Sequence, residues 1–187
     1  MNGNYGVVFA GTATAQRLTA TGMPFTTSKT MIFFFVLNIS SNPSAQNILS
    51  IGGAWASGSI HSMLNTGKFQ MALNPVNLGA GTFYPTGTIP INTPFIVMYY
   101  YSTQGNVCLE FIRINGTSSN KNTPAASEVN INGSQFDIGG WITQARTING
   151  GICDLLMYDY ALSESQIWSI ESHLSSKWNI AVTQGTL

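Results

Sequence analysis

Short β-rich segments separated by turn residues occur along most of this chain, and this alternation constrains the fold more than any other feature. The segments are rich in Val, Ile, Phe and Tyr, and clusters such as "SSNPSAQ" and "NING" separate them. Many short strands with frequent turns are typical of an antiparallel sandwich. The predicted strands are 5–10, 30–39, 47–52, 68–74, 94–102, 106–114, 135–139 and 151–158.

The length of the chain favours one domain. Its 187 residues can bury a core without disulfides or metals to stabilise it, so a single domain over 1–187 is predicted. No period of 20–50 residues repeats, which disfavours a propeller or a solenoid. The longest apolar runs, 31–37 and 94–101, are strand-sized, whereas a membrane helix needs about 20 residues. We therefore expect no membrane span.

Charged residues are scarce and balanced. They make up 7% of the chain, against roughly a quarter in an ordinary soluble protein. The basic residues are scattered and form no patch that could release several counterions from a phosphate backbone, so nucleic acid is not expected as a partner. These residues are Arg17, Lys29, Lys68, Arg113, Lys121, Arg146 and Lys177.

One segment, "SESQIWSIESHLSSKW", is predicted to be a helix. Ser163 and Gln166 have the spacing of a capping box, so the helix is expected to start at Ser163. Apolar residues recur at helical spacing on one face, which would cover apolar surface at the edge or end of the sandwich. These residues are Ile167, Ile170, Leu174 and Trp178.

The ending "GGICDLLMYDYALSESQIWSIESHLSSKW" carries a family resemblance. It resembles the closing motif of concanavalin A-like, laminin G-like jelly rolls: a Gly, a strand with an internal acid, Tyr-Asp, Ala-Leu-Ser, a short helix and Lys-Trp. Upstream, "NGNYGVVFAGTATAQRLTATGMPF", "TMIFFFVLNIS", "NILSIGG" and "FDIGGW" resemble earlier and later strands of that family, and the similarity fades between 55 and 94. The resemblance implies an all-β, two-sheet antiparallel jelly-roll sandwich with one short C-terminal helix.

The resemblance also bears on the chain's context. Relatives usually carry a segment before the Asn-Gly strand, whereas this chain begins at that strand. This departure favours a domain excised from a larger protein over a natural short form. Together with the jelly-roll resemblance and the uncharged polar composition, it leads us to expect a module of a larger extracellular or virion-surface protein.

Members of the superfamily include lectins, adhesion modules and glucan hydrolases, so catalysis must be judged from the residues. Glycoside hydrolysis generally needs two carboxylates about 5–10 Å apart. The hydrolase branch supplies them with a strand resembling Glu-x-Asp-x-x-Glu, and this spacing does not occur here. The family comparison makes Asp154 a strand acid that bonds to neighbouring backbone and Asp159 a turn former before the helix. We therefore expect no enzyme.

Metal and thiol chemistry have little support in the sequence. His61 and His173 are far apart, no metal motif is present, and no cofactor is predicted. Calcium is the one cation left open, because backbone and Asn carbonyls can bind it, although acids are scarce. Cys108 and Cys153 both lie in strand-like runs, where buried, reduced thiols are favoured over a disulfide.

A glycan site needs aromatic rings that stack on sugar C–H faces, beside side chains that bond hydroxyl groups. Each candidate could instead belong to the core, and partial exposure is favoured for Trp55 and Trp141 because of their loop-like contexts. The candidate ligand-binding residues are Trp55, His61, Tyr99, Tyr101, Arg113 and Trp141.

The sequence thus favours a non-catalytic module that binds a glycan or surface polysaccharide. The alternative is a structural module that assembles with copies of itself or with a neighbouring structural protein, and a second alternative is a glycoside hydrolase. A wet aromatic cleft would favour the glycan function, and a large apolar patch would favour assembly.

Overall fold

A computed structural model gives the fold of the chain. It describes residues 6–11, 16–22, 27–28, 30–41, 46–52, 59–65, 67–74, 89–102, 109–118, 129–130, 135–141 and 146–185. No helix within these ranges is long and apolar enough to cross a membrane.

Two antiparallel sheets form the body of the fold, and their strands are numbered here in chain order. The six-stranded sheet has the order β1 (Val7–Ala10), β13 (Asn149–Tyr158), β4 (Thr30–Ile39), β8 (Phe95–Ser102), β9 (Leu109–Ile114) and β10 (Thr117–Ser118). The five-stranded sheet has the order β2 (Leu18–Thr21), β12 (Gln135–Ile138), β5 (Gln46–Ile51), β6 (Ser59–Asn65) and β7 (Lys68–Asn74). A small ribbon pairs β3 (Thr27–Ser28) with β11 (Val129–Asn130).

Strand β4 lies near the middle of the six-stranded sheet and is buried on both faces. Successive side chains of a strand point to opposite faces, so Phe33 and Phe35 enter the core between the sheets while Ile32 and Phe34 face outward. A second core covers these outward residues. It combines apolar side chains of β4, β8 and β9 with those of the helix α1 (Glu164–Trp178) and its flanking residues.

The helix α1 is fixed at both ends by local bonds. The Ser163 hydroxyl accepts from the Gln166 backbone N–H, and the Gln166 side chain accepts from the Ser163 N–H, so the predicted capping box is confirmed. Asn179 ends the helix in the left-handed conformation with φ 54°. The expected location at the edge or end of the sandwich is wrong. The helix covers the outer face of the six-stranded sheet, because that face carries the apolar residues of the second core.

The eight predicted strands all overlap observed ones, and 30–39 and 68–74 coincide with β4 and β7. Strand β6 was not predicted, because "GGAWASGSIHS" has the Gly/Ser content of a loop. Only Ile60 and Leu64 of this strand join the core between the sheets. Ser62 lies between them on the same face and Met63 on the other, which hides the alternation. His61 therefore lies in a strand and not in a loop.

Candidate functional site

Tyr99 and Tyr101 do not form a surface site. They alternate along one face of β8 as expected, but that face packs into the core between the sheets, and both residues have 0% exposure. The Tyr99 hydroxyl donates to Glu110 Oε1 at 2.7 Å. The aromatic pair at i and i+2 of this strand thus belongs to the core. Its predicted role in ligand binding required exposed rings, and these rings are buried.

His61 and Trp141 are brought together on the outer face of the five-stranded sheet. Their ring centroids are 4.6 Å apart, and the Arg146 guanidinium lies 5.4 Å from the Trp141 ring centroid. His61 Nδ1 also shares a hydrogen bond of 3.1 Å with the Ser50 hydroxyl. The expected partial exposure of Trp141 is wrong, because this packing leaves only 2% of it exposed. His61 is fully buried as well, so this pair offers no open ring to a ligand.

Arg113 is also buried, and it contacts two residues that line a cavity. Its Nε and Nη2 atoms donate to the two carboxylate oxygens of Glu171, each at 3.0 Å. The guanidinium carbon lies 4.4 Å from the centroid of the Trp168 ring, so the cation supports this half-buried indole. The guanidinium of Arg113 is therefore enclosed between Glu171 and the Trp168 ring, and its predicted role in ligand binding stays a prediction. Trp55 lies outside the described residues.

A groove of about 290 Å³ lies beside this ion pair, between α1 and the chain that follows it. We call it the α1 groove. Its lining residues are Trp168, Glu171, Ser172, Ser175, Ser176, Val182 and Gln184. Trp168 is half-buried, whereas Ser172, Ser176 and Gln184 are exposed. The groove thus combines one indole ring with neutral groups that form hydrogen bonds.

One wall of the α1 groove is a face of the helix α1. From Trp168, the lining residues of α1 follow at i+3, i+4, i+7 and i+8, which share a face of a helix. The opposite wall is the segment 179–185, which turns back after Asn179. The backbone N–H of Ile180 donates to the carbonyl of Ser175 at 3.0 Å, and the Ser175 hydroxyl donates to the carbonyl of Ile180 at 2.6 Å.

A tight hairpin between β9 and β10 holds this second wall in place. Asn115 and Gly116 both have positive φ, 47° and 81°, which is the conformation that Asn-Gly favours in two-residue hairpins. The Asn115 carbonyl accepts from the Thr183 N–H at 2.9 Å. A Cβ atom on Gly116 would lie 2.0 Å from the Thr183 carbonyl oxygen. Only glycine therefore allows the segment to approach so closely.

The acids of the described residues are mostly engaged elsewhere. Asp137 is buried and accepts from the Thr19 hydroxyl at 2.6 Å, and Arg17 Nε lies 3.3 Å from its Oδ1. Asp154 accepts from the side chains of Lys177 and Trp178. Its expected bonding to neighbouring backbone is wrong, because the strand directs it to the C-terminal end of α1. No group of three His, Cys, Asp or Glu residues within the described part of the chain could hold a metal ion.

Cys153 lies at a register shift of β13 and is a half-buried, free thiol. Burial raises its pKa, as does the neighbouring Asp154, while Lys177 lowers it. A thiol with a raised pKa is a poor nucleophile at neutral pH. Cys108, the other cysteine, lies outside the described residues.

Reasoning from the sequence missed the α1 groove, although one signal was present. Trp168 and three serines recur on one face of the predicted helix, beside the apolar face that was recognised. That stripe becomes a groove only when Val182 and Gln184 fold back across it, and nothing local in the sequence reports this contact.

No protein-family model and no curated protein matches the sequence. Solved structures do match. The native heptameric SAP-like pentraxin from Limulus polyphemus has a TM-score of 0.66 and 13% identity, over 88% of this chain and 80% of the pentraxin. Domains LG4-5 of the mouse laminin alpha1 chain have a TM-score of 0.65 and 12% identity, over 83% of this chain and 44% of theirs.

The CBM40 of the Ruminococcus gnavus IT-sialidase has a TM-score of 0.63 and 14% identity, over 82% of this chain and 98% of the module. At such identities the likeness concerns the fold. Together with the two antiparallel sheets and the single described helix, these matches confirm the architecture expected from the sequence. The chain has the concanavalin A-like jelly-roll fold of laminin G-like domains.

Proposed function

We propose that this chain is a non-catalytic carbohydrate-binding module and that the α1 groove is its binding site. The observation that carries the proposal is the half-buried Trp168 indole beside the exposed Ser172, Ser176 and Gln184. A sugar ring presents an apolar face that stacks on an indole, and its hydroxyl groups bond to neutral side chains. A solvent-exposed groove with an indole ring and neutral polar side chains meets both needs.

Two structural neighbours support the same function. The sialidase CBM40 is also known bound to α2,3-sialyllactose, and a putative carbohydrate binding protein from Bacteroides ovatus shares the fold with a TM-score of 0.61. A jelly-roll fold hosts several functions, so the groove and not the fold is what has to be tested. We place the module in a larger extracellular or virion-surface protein, where such recognition acts.

A glycan array of the chain, followed by titration of any hit, tests the proposal. Trp168→Ala is expected to reduce affinity at least tenfold, because the stacking surface is lost. Since Trp168 also supports Arg113, the double variant Ser172→Ala, Gln184→Ala provides an independent test at exposed positions and is expected to weaken binding several-fold. Tyr160→Ala, which removes a 54% exposed ring outside the groove, is the matched control and should bind as the parent does.

If all three variants bind the glycan as the parent does, the binding site lies outside the α1 groove. Binding of no glycan by the parent would refute the proposed function.

One observation favours assembly as a second candidate function. Val8 and Val7 on the edge strand β1 are 76% and 44% exposed, and no charged residue interrupts 6–11. An apolar edge without a charged residue can pair with the same edge of a second copy. If it does, the parent has the mass of a dimer in solution and Val8→Lys is a monomer. A monomeric parent would exclude self-assembly through this edge.

A further inference from the structure

Arg113, which contacts two lining residues of the α1 groove, has its charge neutralised within the protein. All three guanidinium nitrogens of Arg113 are engaged: Nε and Nη2 with Glu171, and Nη1 with the Ser118 hydroxyl at 3.0 Å and the Gly185 carbonyl at 3.3 Å. An acidic ligand would have to displace Glu171 to reach this cation. Breaking a buried ion pair is costly, so Arg113 cannot serve as its anchor.

Glu171, the acidic member of this pair, faces the groove. Glu171 is a lining residue, is only 1% exposed, and has both carboxylate oxygens occupied by Arg113. A ligand carboxylate placed in the groove would lie near this carboxylate without a cation of its own. Because the pair is neutral overall and only its carboxylate end lines the groove, it offers an acidic ligand no net attraction.

The remaining basic groups of α1 point away from the groove. At about 100° per residue, His173 and Lys177 project roughly 140° and 180° from Trp168 around the helix axis. Lys177 instead pairs with Asp154 of β13 at 2.9 Å. The other lining side chains are serine hydroxyls, the Gln184 amide, Val182 and the Trp168 ring, all uncharged.

We propose that the α1 groove selects neutral glycans and rejects those that carry a carboxylate at the bound residue. This inference rests on the proposed function and specifies its ligand class. It also distinguishes this chain from the structural neighbour known bound to sialyllactose. The groove stacks a neutral ring on Trp168 and bonds its hydroxyl groups through Ser172, Ser176 and Gln184.

Matched neutral and acidic ligands test this selectivity. Lactose is compared with α2,3-sialyllactose, and cellotriose and maltotriose with their counterparts in which the terminal hydroxymethyl group is oxidised to a carboxylate. The chemical shift of the Trp168 indole N–H, assigned with Trp168→Phe, reports binding. We expect each bound neutral ligand to bind at least tenfold tighter than its acidic counterpart, with little change in Kd between 50 and 500 mM salt.

A charge variant provides the complementary test. Ser176→Lys places a cation on the groove wall and is expected to raise affinity for the acidic counterparts several-fold, whereas His173→Lys, with the same charge on the far side of α1, should not. Acidic ligands that bind the parent as tightly as neutral ones would overturn the selectivity while leaving glycan binding intact. If no ligand of either series moves the Trp168 signal, the proposed function at this site fails.

Discussion

Glu110 places a carboxyl group in the core between the two sheets, next to the Tyr99 hydroxyl. Burial raises its pKa from 4.5 to about 7, although the bond from Tyr99 lowers the pKa in part. The unfolded chain therefore releases this proton from about pH 4.5, and the folded chain retains it up to about pH 7. The free energy of unfolding should fall by about 3 kcal/mol as pH rises through this window and then stay constant.

Urea unfolding at pH 5 and pH 8 checks this prediction. Glu110→Gln keeps an acceptor for Tyr99 but cannot ionise, so most of the fall in stability should disappear. Glu164→Gln, which changes an exposed acid of α1, should leave the fall in stability unchanged. If Glu110→Gln loses as much stability with rising pH as the parent, another group is responsible.

The Arg113–Glu171 pair gives a second prediction for single residues. Glu171→Ala leaves a buried guanidinium without its carboxylate and should lower the free energy of unfolding by about 3–5 kcal/mol. Lys177→Met, which breaks the more exposed pair with Asp154, should cost about 1 kcal/mol or less. If the two variants have similar denaturant midpoints, the buried Arg113–Glu171 pair contributes no more to stability than the more exposed Lys177–Asp154 pair.

At the scale of the element, α1 depends on its cap. Ser163→Ala removes the acceptor of the Gln166 N–H and should lower the free energy of unfolding by about 1 kcal/mol. Ser169→Ala makes the same chemical change at an exposed position within the helix, where alanine is the better helix former, and should stabilise slightly. The two variants should therefore shift the urea midpoint in opposite directions, and equal midpoints would contradict the capping role.

At the scale of the whole molecule, the arrangement of four of the seven acidic residues bears on catalysis. Asp137, Asp154 and Glu171 are each paired with a cation, and Glu110 lies in the core. None of these four is available as one of two carboxylates facing a sugar. We expect no release of reducing ends from a β-glucan. Measurable turnover that is lost on changing any one carboxylate would refute this.

The sequence predicted the fold well because its signals are local. Turn clusters delimit β4 and β7, and the capping box at Ser163 fixes the start of α1. The site was predicted poorly, since burial depends on long-range pairing. Nothing near Arg113 in the chain indicates that Glu171, 58 residues later, will neutralise it. Trp141, a ring in an apparent loop, is buried, and His61 and Arg146, which are distant or indistinct in the local sequence pattern, pack on it.

The double coverage of β4 has a consequence for synthesis. The strand ends at Ile39 and its cover α1 begins at Glu164, so about 125 residues separate their emergence from the ribosome. At ~5–20 residues per second, the outward side chains wait roughly 6–25 s for their partner. A nascent chain would present an apolar sheet face during this interval. A version ending at Leu162 is expected to bind an apolar fluorescent dye and to scatter light as it aggregates, and a clear, monomeric solution of it would show that the face is shielded without α1.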